Sequence, residues 1–278
     1  MKAGPDCYLC IRKLILRTSS LSTDDEKVLR RSRKEALDLL RKEFSDETVP
    51  AQLSTKLLRF LKYATGCPNP FEEIKRQEID FAKKLVRDIR KPPQDFRSLV
   101  EYSAIGNTLD FFKKPESLLE TVGRFPGFAK DEISKVAGKL SSVKRILFLA
   151  DNAGECFFDI PLVSFLSKRA EVTYVVKGSA VQNDITYDDL TYAGLANRIG
   201  RVISTGDDAV GIDIKTASKE LLQELIFSDL IIAKGMGNYE TLSELPACGR
   251  TFHILMAKCR PVASSLQTNI NSYIAILR

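Results

Sequence analysis

Apolar and polar residues follow two different patterns along the chain, and the change falls near residue 142. Before it, apolar side chains recur every three or four residues among many charged ones, the periodicity of helices with one buried face. Helix breakers interrupt this half at Thr23–Asp24, Gly66–Pro70 and Pro92–Pro93. The pattern predicts helices near residues 6–19, 24–44, 50–65, 70–90, 94–112 and 128–140.

Short uninterrupted apolar runs begin at residue 145 and are typical of strands buried on both faces of a sheet. They predict strands at 145–150, 172–176, 201–205, 229–233 and 252–257, with a further one at 272–277. Helix-like segments separate the runs, near 159–169, 186–197, 215–226 and 239–244. Alternation of this kind predicts right-handed crossovers and parallel strands. We therefore expect an α/β protein with a helical lobe over residues 1–142 and a parallel-sheet domain over residues 143–278.

Residues that follow the predicted strands are the first candidates for chemistry, because ligands of open parallel sheets bind beyond the carboxyl ends of the strands. Asp151 and Asn152 follow the first strand, and Asp184 follows the second. Their oxygens suit Mg²⁺ or Mn²⁺ and leave coordination positions for water and a phosphate. The three residues therefore predict a divalent metal site. The alternative is that Asp-Asn is simply turn chemistry at the end of a strand.

A glycine-rich segment between a predicted strand and a predicted helix is a candidate phosphate site. Lys234, Gly235 and Gly237 would present backbone N–H groups and one ammonium to an anion. The alternative is a glycine-rich turn with a surface lysine. The segment is not a dinucleotide fingerprint, since Glu240 stands where the third glycine would be.

Composition narrows the range of partners without choosing one. The 42 basic and 36 acidic residues give a net charge of +6, and their signs alternate along most segments, as on a solvated surface. Such a field attracts a phosphorylated metabolite, but it also attracts nucleic acid. We expect no membrane partner, because no apolar run approaches the roughly 20 residues that cross a bilayer. The first residues lack an apolar signal core, so we expect a cytoplasmic protein with six reduced cysteines.

Four other residues need an interpretation. Cys7 and Cys10 have the spacing of half a zinc site, but no second CxxC follows, and on a helix they would share one packing face. His253 is the only histidine and lies in a predicted strand, so we expect it in the core and give Ser/His catalysis little support. Asn107 follows Gly106 in an otherwise apolar helix. This pair of poor helix formers marks either a functional position or a helix end.

Seven segments taken together resemble a known family, and they occur in its order and spacing: CYLC with Arg12, NPFEEIKR, AIGNTLDF, DNAGE, QNDIT, ISTG and KGMGNYETLSE. The chain resembles the metal-dependent damage-control phosphatases, long catalogued as domain of unknown function eighty-nine, in particular the compact archaeal and bacterial branch with an amino-terminal CxxC. The resemblance covers nearly the whole chain. It implies a helical lobe beside a Rossmann-like domain, and hydrolysis of small phosphometabolites with Mn²⁺, Mg²⁺, Co²⁺ or Ni²⁺.

The resemblance also implies roles for individual residues. It places the metal on Asp151, Asn152 and Asp184, and the charge that neutralises the phosphate on Lys234. From the helical lobe, Asn107 and Asp110 would reach the site. The remaining candidates would orient water or contact the substrate. Glu155 is a candidate catalytic residue, and the candidate substrate-binding residues are Asn183, Gly206, Gly235, Asn238 and Glu240.

One position departs from the family pattern. Cys156 follows DNAGE where relatives are expected to carry a histidine or an aliphatic residue. A soft thiol beside the metal would alter metal preference, whereas a thiol that points into the core would change nothing.

Two other functions stay open on the sequence alone. Carboxyl methyl transfer from S-adenosylmethionine suits an α/β domain and has been proposed for related members, but the DNAGE loop offers a single glycine for that cofactor. A non-enzymatic, metal-stabilised binding module, for example for nucleic acid, is motivated by the positive charge and the CxxC. Interleaved acids and the lack of tryptophan count against it. For the phosphatase, an aspartyl-phosphate on Asp151 and a metal-activated water are equally consistent.

Overall fold

A computed structural model describes residues 1–89, 93–108 and 125–278 of the chain. Its first part contains five helices in the described residues, namely α1 (Cys7–Ser22), α2 (Glu26–Glu43), α3 (Pro50–Thr65), α4 (Glu72–Asp88) and α5 (Phe96–Gly106). Local chemistry explains their ends: the Asp25 side chain accepts hydrogen bonds from two backbone N–H groups of the first turn of α2, and Gly66 ends α3 with a φ of 71°. Helices α1 to α3 pack on one another around buried aliphatic residues such as Ile15, Leu40 and Leu61.

Strands and helices alternate through the rest of the described chain. In order they are β1 (Phe128–Asp131), α6 (Ile133–Lys139), β2 (Arg145–Leu149), α7 (Cys156–Ser167), β3 (Glu171–Val176), α8 (Tyr187–Ala193), β4 (Arg201–Ser204), α9 (Lys219–Phe227), β5 (Leu230–Lys234), α10 (Gly235–Leu242), β6 (Thr251–Ala257), α11 (Arg260–Ser265) and β7 (Ser272–Leu277). A 3₁₀ turn at Ala153–Glu155 precedes α7. The predicted α/β class is confirmed.

The strands form one seven-stranded sheet in the order β1-β7-β6-β5-β2-β3-β4. Strand β2 pairs in parallel with both β3 and β5, and β6 continues the parallel order beyond β5. Strand β7 is antiparallel to β6. From β2 the chain proceeds outward through β3 and β4, and then returns to the other side of β2 as β5. The connections after β2 and β5 therefore lead in opposite directions along the sheet. The place between these two strands is a topological switch point, where α/β sheets bind ligands.

Two of the predicted elements need correction. The helix expected at 128–140 is wrong over its first residues, because Phe128–Asp131 forms β1 and pairs with β7 before α6 begins at Ile133. A four-residue strand is too short for its alternation to stand out from helical periodicity. The helix expected at 239–244 begins earlier, at Gly235, directly after β5. The helix expected at 94–112 is observed as α5, which ends at Gly106. The last residues of that prediction, 109–112, lie outside the described residues.

Apart from Lys234, the buried residues of the central strands β2 and β5 are apolar. All five residues of β5 are buried, as are the last four of β2. Helices α5 and α7 pack against each other over one face, so the first half of the chain shares a core with the sheet. The division of the chain at residue 142 stays a prediction, and β1 lies on its amino-terminal side. None of the helices in the described residues has the length and apolar character of a transmembrane span.

Candidate functional site

The three predicted metal ligands lie side by side at the switch point of the sheet. Asp151 and Asn152 follow β2, and Asp184 lies in the loop after β3. Backbone pairing holds them in register: Ile185 N–H donates to the Asp151 carbonyl oxygen at 2.9 Å, and Asn152 forms an isolated antiparallel bridge with Asp184. Residues more than 30 positions apart are thereby fixed on one edge, as the sequence predicts.

A cavity of about 460 Å³ opens above these residues. The rim of the sheet contributes Asp151, Asn152, Asp184 and residues next to them, and helix α1 contributes Cys10, Lys13, Leu14 and Arg17. Gln182 lines the same cleft and adopts a φ of 43°, in the left-handed region that residues other than glycine rarely occupy. Strain of this kind concentrates at functional sites, which supports the assignment of this cleft as the site.

Gly235 allows the chain to approach Asp151. Its φ is 76°, and a Cβ placed on it would lie 1.8 Å from Asp151 Oδ2. Any side chain at this position would displace the carboxylate. The glycine expected at the substrate therefore lies directly against the first candidate metal ligand.

Asn107 joins the helical lobe to the site. Its Nδ2 donates to Asp151 Oδ2 at 2.9 Å and to Glu155 Oε1 at 2.7 Å, while its Oδ1 accepts from the backbone N–H of Met256 at 2.9 Å. The neighbouring Gly106 has a packing reason as well, since a Cβ there would lie 2.9 Å from the Cβ of Phe158. Gly106 therefore allows a close contact between α5 and α7, and Asn107 bridges the carboxylates of Asp151 and Glu155.

Asn152 provides a second bridge between the same two carboxylates. Its Nδ2 donates to Asp151 Oδ2 at 3.2 Å and also to Glu155 Oε1. Glu155 is fully buried, so its carboxylate depends on these amides and on one cation for its hydrogen bonds. The predicted catalytic Glu155 therefore lies beside Asp151 but behind it, away from the open cleft.

Lys234 is fully buried beneath the site. Its Nζ donates to Ser103 O at 3.0 Å, to Glu155 Oε2 at 3.0 Å and to Asp159 Oδ1 at 2.6 Å. Burial by itself would lower the pKa of Lys234, but Asp159 and Glu155 hold that pKa above its ordinary value. An ammonium has three donors, and protein atoms accept all of them. Contact between Lys234 and a phosphate stays a prediction.

Burial has the largest effect on the carboxylates of the site. Burial, followed by the charges of Glu155 and Asp184, raises the pKa of Asp151 well above its ordinary value. Burial also raises the pKa of Asp184, although Lys177 Nζ lies 3.4 Å from its Oδ2 and opposes that effect. Two desolvated carboxylates that face one cleft form an arrangement that a bound divalent cation would relieve.

The donor set fits a hard cation, but it is not a cluster of three acidic or imidazole ligands. Across residues 1–89, 93–108 and 125–278, no group of three or more His, Cys, Asp or Glu side chains is arranged to hold a metal. Asp151 and Asp184 would supply the carboxylates, and the third donor would be the amide oxygen of Asn152. Oxygen donors that leave other positions open are typical of Mg²⁺ and Mn²⁺ sites.

Two further candidates hold the loops of the site. Asn183 lines the cleft, and its Nδ2 donates to both carboxylate oxygens of Glu78 at 3.1 Å. Asn238 is buried, and its Nδ2 donates to the carbonyl oxygens of Ala150 at 3.2 Å and of Lys234 at 2.8 Å. Asn238 thus ties the loop after β2 to the end of β5.

The remaining candidates are not brought to the cleft in the described structure. Gly206 is exposed, with a φ of 83°, and a Cβ there would lie 2.8 Å from the Cβ of Ser218. Glu240 does not line the cleft; its backbone oxygen accepts from the ammonium of Met1, and burial raises the pKa of its side chain to about 7. Their contacts with substrate stay predictions. Asp110 lies outside the described residues.

The cysteines and the histidine occupy three different environments. All six cysteines are free thiols. Cys7 is buried in the packing face of α1, whereas Cys10 is exposed and lines the cleft. Cys156 is buried in the apolar core and not in the cleft wall, so its thiol has the orientation expected to leave metal preference unchanged. His253 is 1% exposed, as expected for a core histidine.

Sequence reasoning missed two sets of residues. One is the buried support of the site, Ser103 and Asp159, whose side chains bond to each other at 2.6 Å (Oγ to Oδ1) around Lys234. The other is the basic wall of the cleft, formed by Lys13, Arg17 and Lys258. In the sequence, only the four-residue spacing of Lys13 and Arg17 indicates that these two cations share a helix face. The same spacing also fits a solvated surface.

Comparisons with known proteins identify the family of the chain. A family model described as the damage-control phosphatase ARMT1-like domain matches residues 3–273. A protein of Pyrococcus horikoshii named as a damage-control phosphatase is 35% identical over 274 residues, which cover 96% of this chain and 95% of the relative. A protein of Archaeoglobus fulgidus with the same name is 31% identical over 291 residues, with 99% of each chain covered.

The fold has a counterpart among solved structures as well. A crystal structure of a DUF89 family protein from Pyrococcus horikoshii matches with a TM-score of 0.92 and 33% sequence identity, over 100% of this chain and 99% of that one. The resemblance to the damage-control phosphatase family is therefore confirmed by matches that span both chains, whereas the assignment to a branch with an amino-terminal CxxC stays a prediction. The chain belongs to the family of damage-control phosphatases with an ARMT1-like domain.

Proposed function

We propose that this chain is a metal-dependent phosphatase that hydrolyses phosphate esters of small metabolites in the cleft above Asp151, Asn152 and Asp184. The observation that carries the proposal is the juxtaposition of two desolvated carboxylates with a basic wall across one cavity. Carboxylates alone would repel a phosphate, whereas a cation between them and the phosphate would make the same groups attractive. Membership of a phosphatase family supports the same activity.

Asp151, Asn152 and Asp184 would hold a divalent cation such as Mn²⁺, Mg²⁺, Co²⁺ or Ni²⁺. A cation bound there supplies Lewis-acid polarisation of the phosphoryl oxygens. Lys258 lines the same cleft, and its charge acts on Asp151, so its ammonium is placed to bind a phosphoryl oxygen of the substrate. Because positive groups aimed at developing charge need no reorganisation during reaction, this arrangement suits phosphoryl transfer.

The buried residues would keep the ligands in place. The amides of Asn107 and Asn152 both donate to Asp151 Oδ2 and to Glu155 Oε1, so they fix the Asp151 carboxylate in one orientation. Lys234 neutralises Glu155 and Asp159 from below. We therefore assign Lys234 a positioning role: it pairs with Glu155 and Asp159 and holds the Glu155 carboxylate aligned next to Asp151.

A screen of phosphate esters with added divalent metals tests this proposal. We expect phosphate release from at least one ester to require metal, and Asp151→Asn to reduce kcat by two or more orders of magnitude while the chain stays folded. Asp46→Asn is the matched control, since Asp46 is exposed and outside the cleft. Metal-dependent phosphate release that is unchanged in Asp151→Asn would remove the proposed site.

A further inference from the structure

A second cavity lies at the other end of the sheet from the candidate metal site. Its volume is about 410 Å³, and Ile231 and His253 line it near the amino ends of β5 and β6. Helix α9 and the loop between α10 and β6 form much of the remaining wall. The cavity and the cleft above Asp151 have no lining residue in common. A ligand in this cavity would therefore not touch the candidate metal ligands.

Most of the wall of this cavity is aliphatic. Leu222 and Leu225 of α9 and Leu242 of α10 contribute to it. At the mouth, Ile214 is 48% exposed and Ile226 is 65% exposed. An apolar wall with few polar groups is the usual composition of a small-molecule site, and exposed apolar side chains at its rim are typical of a binding surface.

His253 is a buried polar group of this wall that has no partner. Its side chain is 1% exposed, and its Nδ1 has no hydrogen-bond partner among the residues that the structure describes. Burial, followed by the charge of Arg278, lowers the pKa of His253 to about 3, so the imidazole is neutral at physiological pH. A neutral imidazole has one N–H donor and one acceptor nitrogen. Because a buried polar atom without a partner is costly, a ligand that pairs with the ring would relieve that cost.

The charged side chains of the wall are both positive. Arg250 and Arg278 line the cavity, and no Asp or Glu side chain lines it. The Arg250 guanidinium donates to the carbonyl oxygens of Leu225, Ile226 and Ser228, which are uncharged acceptors. Within the described part of the chain, Arg278 forms hydrogen bonds only through its backbone, with Thr251. The donors of the Arg278 guanidinium are therefore available to a ligand.

We propose that this cavity binds a small carboxylic acid with an apolar body. The carboxylate accepts from the fork of the Arg278 guanidinium, whose planar geometry matches it, and lies beside the imidazole of His253. The apolar body lies between α9 and the loop after α10. A volume of about 410 Å³ lies in the range of small-molecule sites. The inference is independent of the proposed phosphatase activity, because the two cavities share no residue.

Three probes with the same eight-carbon chain and different head groups test the inference without any need for turnover. They are octanoate, octan-1-ol and octylammonium, each titrated calorimetrically into the full chain. We expect one octanoate to bind per chain, about ten-fold or more tightly than either of the other two probes, since hydrogen bonds to charged groups are the stronger ones. Equal affinities for the three probes would overturn the inference.

Variants locate the binding in this cavity. Arg278→Gln should reduce the ratio of the octanoate and octan-1-ol affinities toward one, and His253→Phe should weaken octanoate more than octan-1-ol. Ala247→Trp, at an exposed position of the wall, should weaken all three probes by blocking the cavity. The matched control is Arg31→Gln, because Arg31 is exposed on α2 and does not line the cavity. Octanoate binding that survives both Arg278→Gln and Ala247→Trp would overturn the inference.

A second copy of the chain is the other occupant that an apolar rim could take, and sedimentation velocity distinguishes the two. We expect octanoate to leave the sedimentation coefficient of the parent chain unchanged. A self-associated chain that octanoate or Ile226→Glu dissociates would assign the cavity to a second copy and overturn the inference. Failure of the proposed function is a separate result, namely no metal-dependent phosphate release from any ester.

Discussion

At the scale of single residues, the site depends on amides that separate like charges. Asn107 donates to Asp151 and to Glu155 with one NH₂ group, and its oxygen is fixed by the backbone of Met256. The side chain therefore has one possible orientation, and it couples the end of α5 to the edge of the sheet. A buried donor that serves two carboxylates is costly to remove, because both acceptors lose their partner.

Replacement of Asn107 tests that coupling. We expect Asn107→Ala to lower the free energy of unfolding by about 1–3 kcal/mol and kcat by about one to two orders of magnitude, since Asp151 loses its orientation. Chemical denaturation and initial rates measure the two effects. The control Asn197→Ala alters an exposed amide in the turn after α8 and should change neither quantity. Full activity in Asn107→Ala would refute the orienting role.

Replacement of Lys234 should lower the free energy of unfolding more than replacement of Asn107. Lys234→Met would leave Glu155 and Asp159 buried without their cation, at a cost of about 3–5 kcal/mol. The double variant Lys234→Met with Asp159→Asn should regain part of that loss, because one of the two uncompensated charges is gone. Denaturant unfolding of the two variants checks the prediction, and a double variant less stable than the single one would contradict it.

At the scale of elements, the turn from β5 into α10 determines where Asp151 can lie. Gly235 begins α10 with a positive φ, and the missing Cβ makes room for the Asp151 carboxylate. The sequence indicates a glycine-rich turn at this place, and the structure adds the physical reason for one of its glycines. Continuous apolar runs predict β2 and β5 well, because both strands are buried along their length.

Gly235→Ala tests the close approach. The new methyl group would occupy the space of Asp151 Oδ2, and the positive φ adds strain of about 1–2 kcal/mol. We expect loss of both metal binding and phosphatase activity in a chain that remains folded. Gly138→Ala in α6 is the control, since no atom lies within 4 Å of its added Cβ and activity should be unchanged. Calorimetric titration with Mn²⁺ and circular dichroism make the measurement; normal Mn²⁺ binding by Gly235→Ala would argue against the steric account.

Other parts of the site could not be predicted from the pattern of residues. Asp159 is 75 residues from Lys234 in the chain, and its role depends on how α7 packs against α5 and β3. Nothing in a single sequence distinguishes it from a surface carboxylate. Lys13 and Arg17 are likewise indistinguishable from a solvated stripe until α1 is placed over the cleft. Strand β1 was missed for a different reason, since four residues carry too little periodicity.

At the scale of the whole molecule, long-range contacts join the beginning of the chain to α10. The Met1 ammonium donates to Glu240 O and pairs with Glu244, and burial raises the pKa of Glu240 to about 7 from an ordinary value of 4.5. A carboxyl whose pKa is raised in the folded state favours folding when it is protonated. Its contribution is complete below pH 4.5 and is lost as the pH rises toward 7.

Glu240→Gln should remove this part of the pH dependence. We expect the variant and the parent to have similar free energies of unfolding near pH 4, and the variant to be more stable by about 3 kcal/mol at pH 8. Urea unfolding of both chains across that range measures the difference. A difference that does not change with pH would mean that Glu240 titrates normally in the folded protein.

The most direct test of the central claim is metal-dependent release of phosphate by the parent chain and by Asp184→Asn, measured against Mn²⁺ concentration. The proposed site predicts release that saturates with Mn²⁺ in the parent chain. It also predicts a rate at least a hundred-fold lower in a folded Asp184→Asn, with Asp46→Asn equal to the parent. Phosphate release that needs no metal, or that Asp184→Asn retains in full, would contradict the assignment of Asp151, Asn152 and Asp184 as the metal site of a phosphatase.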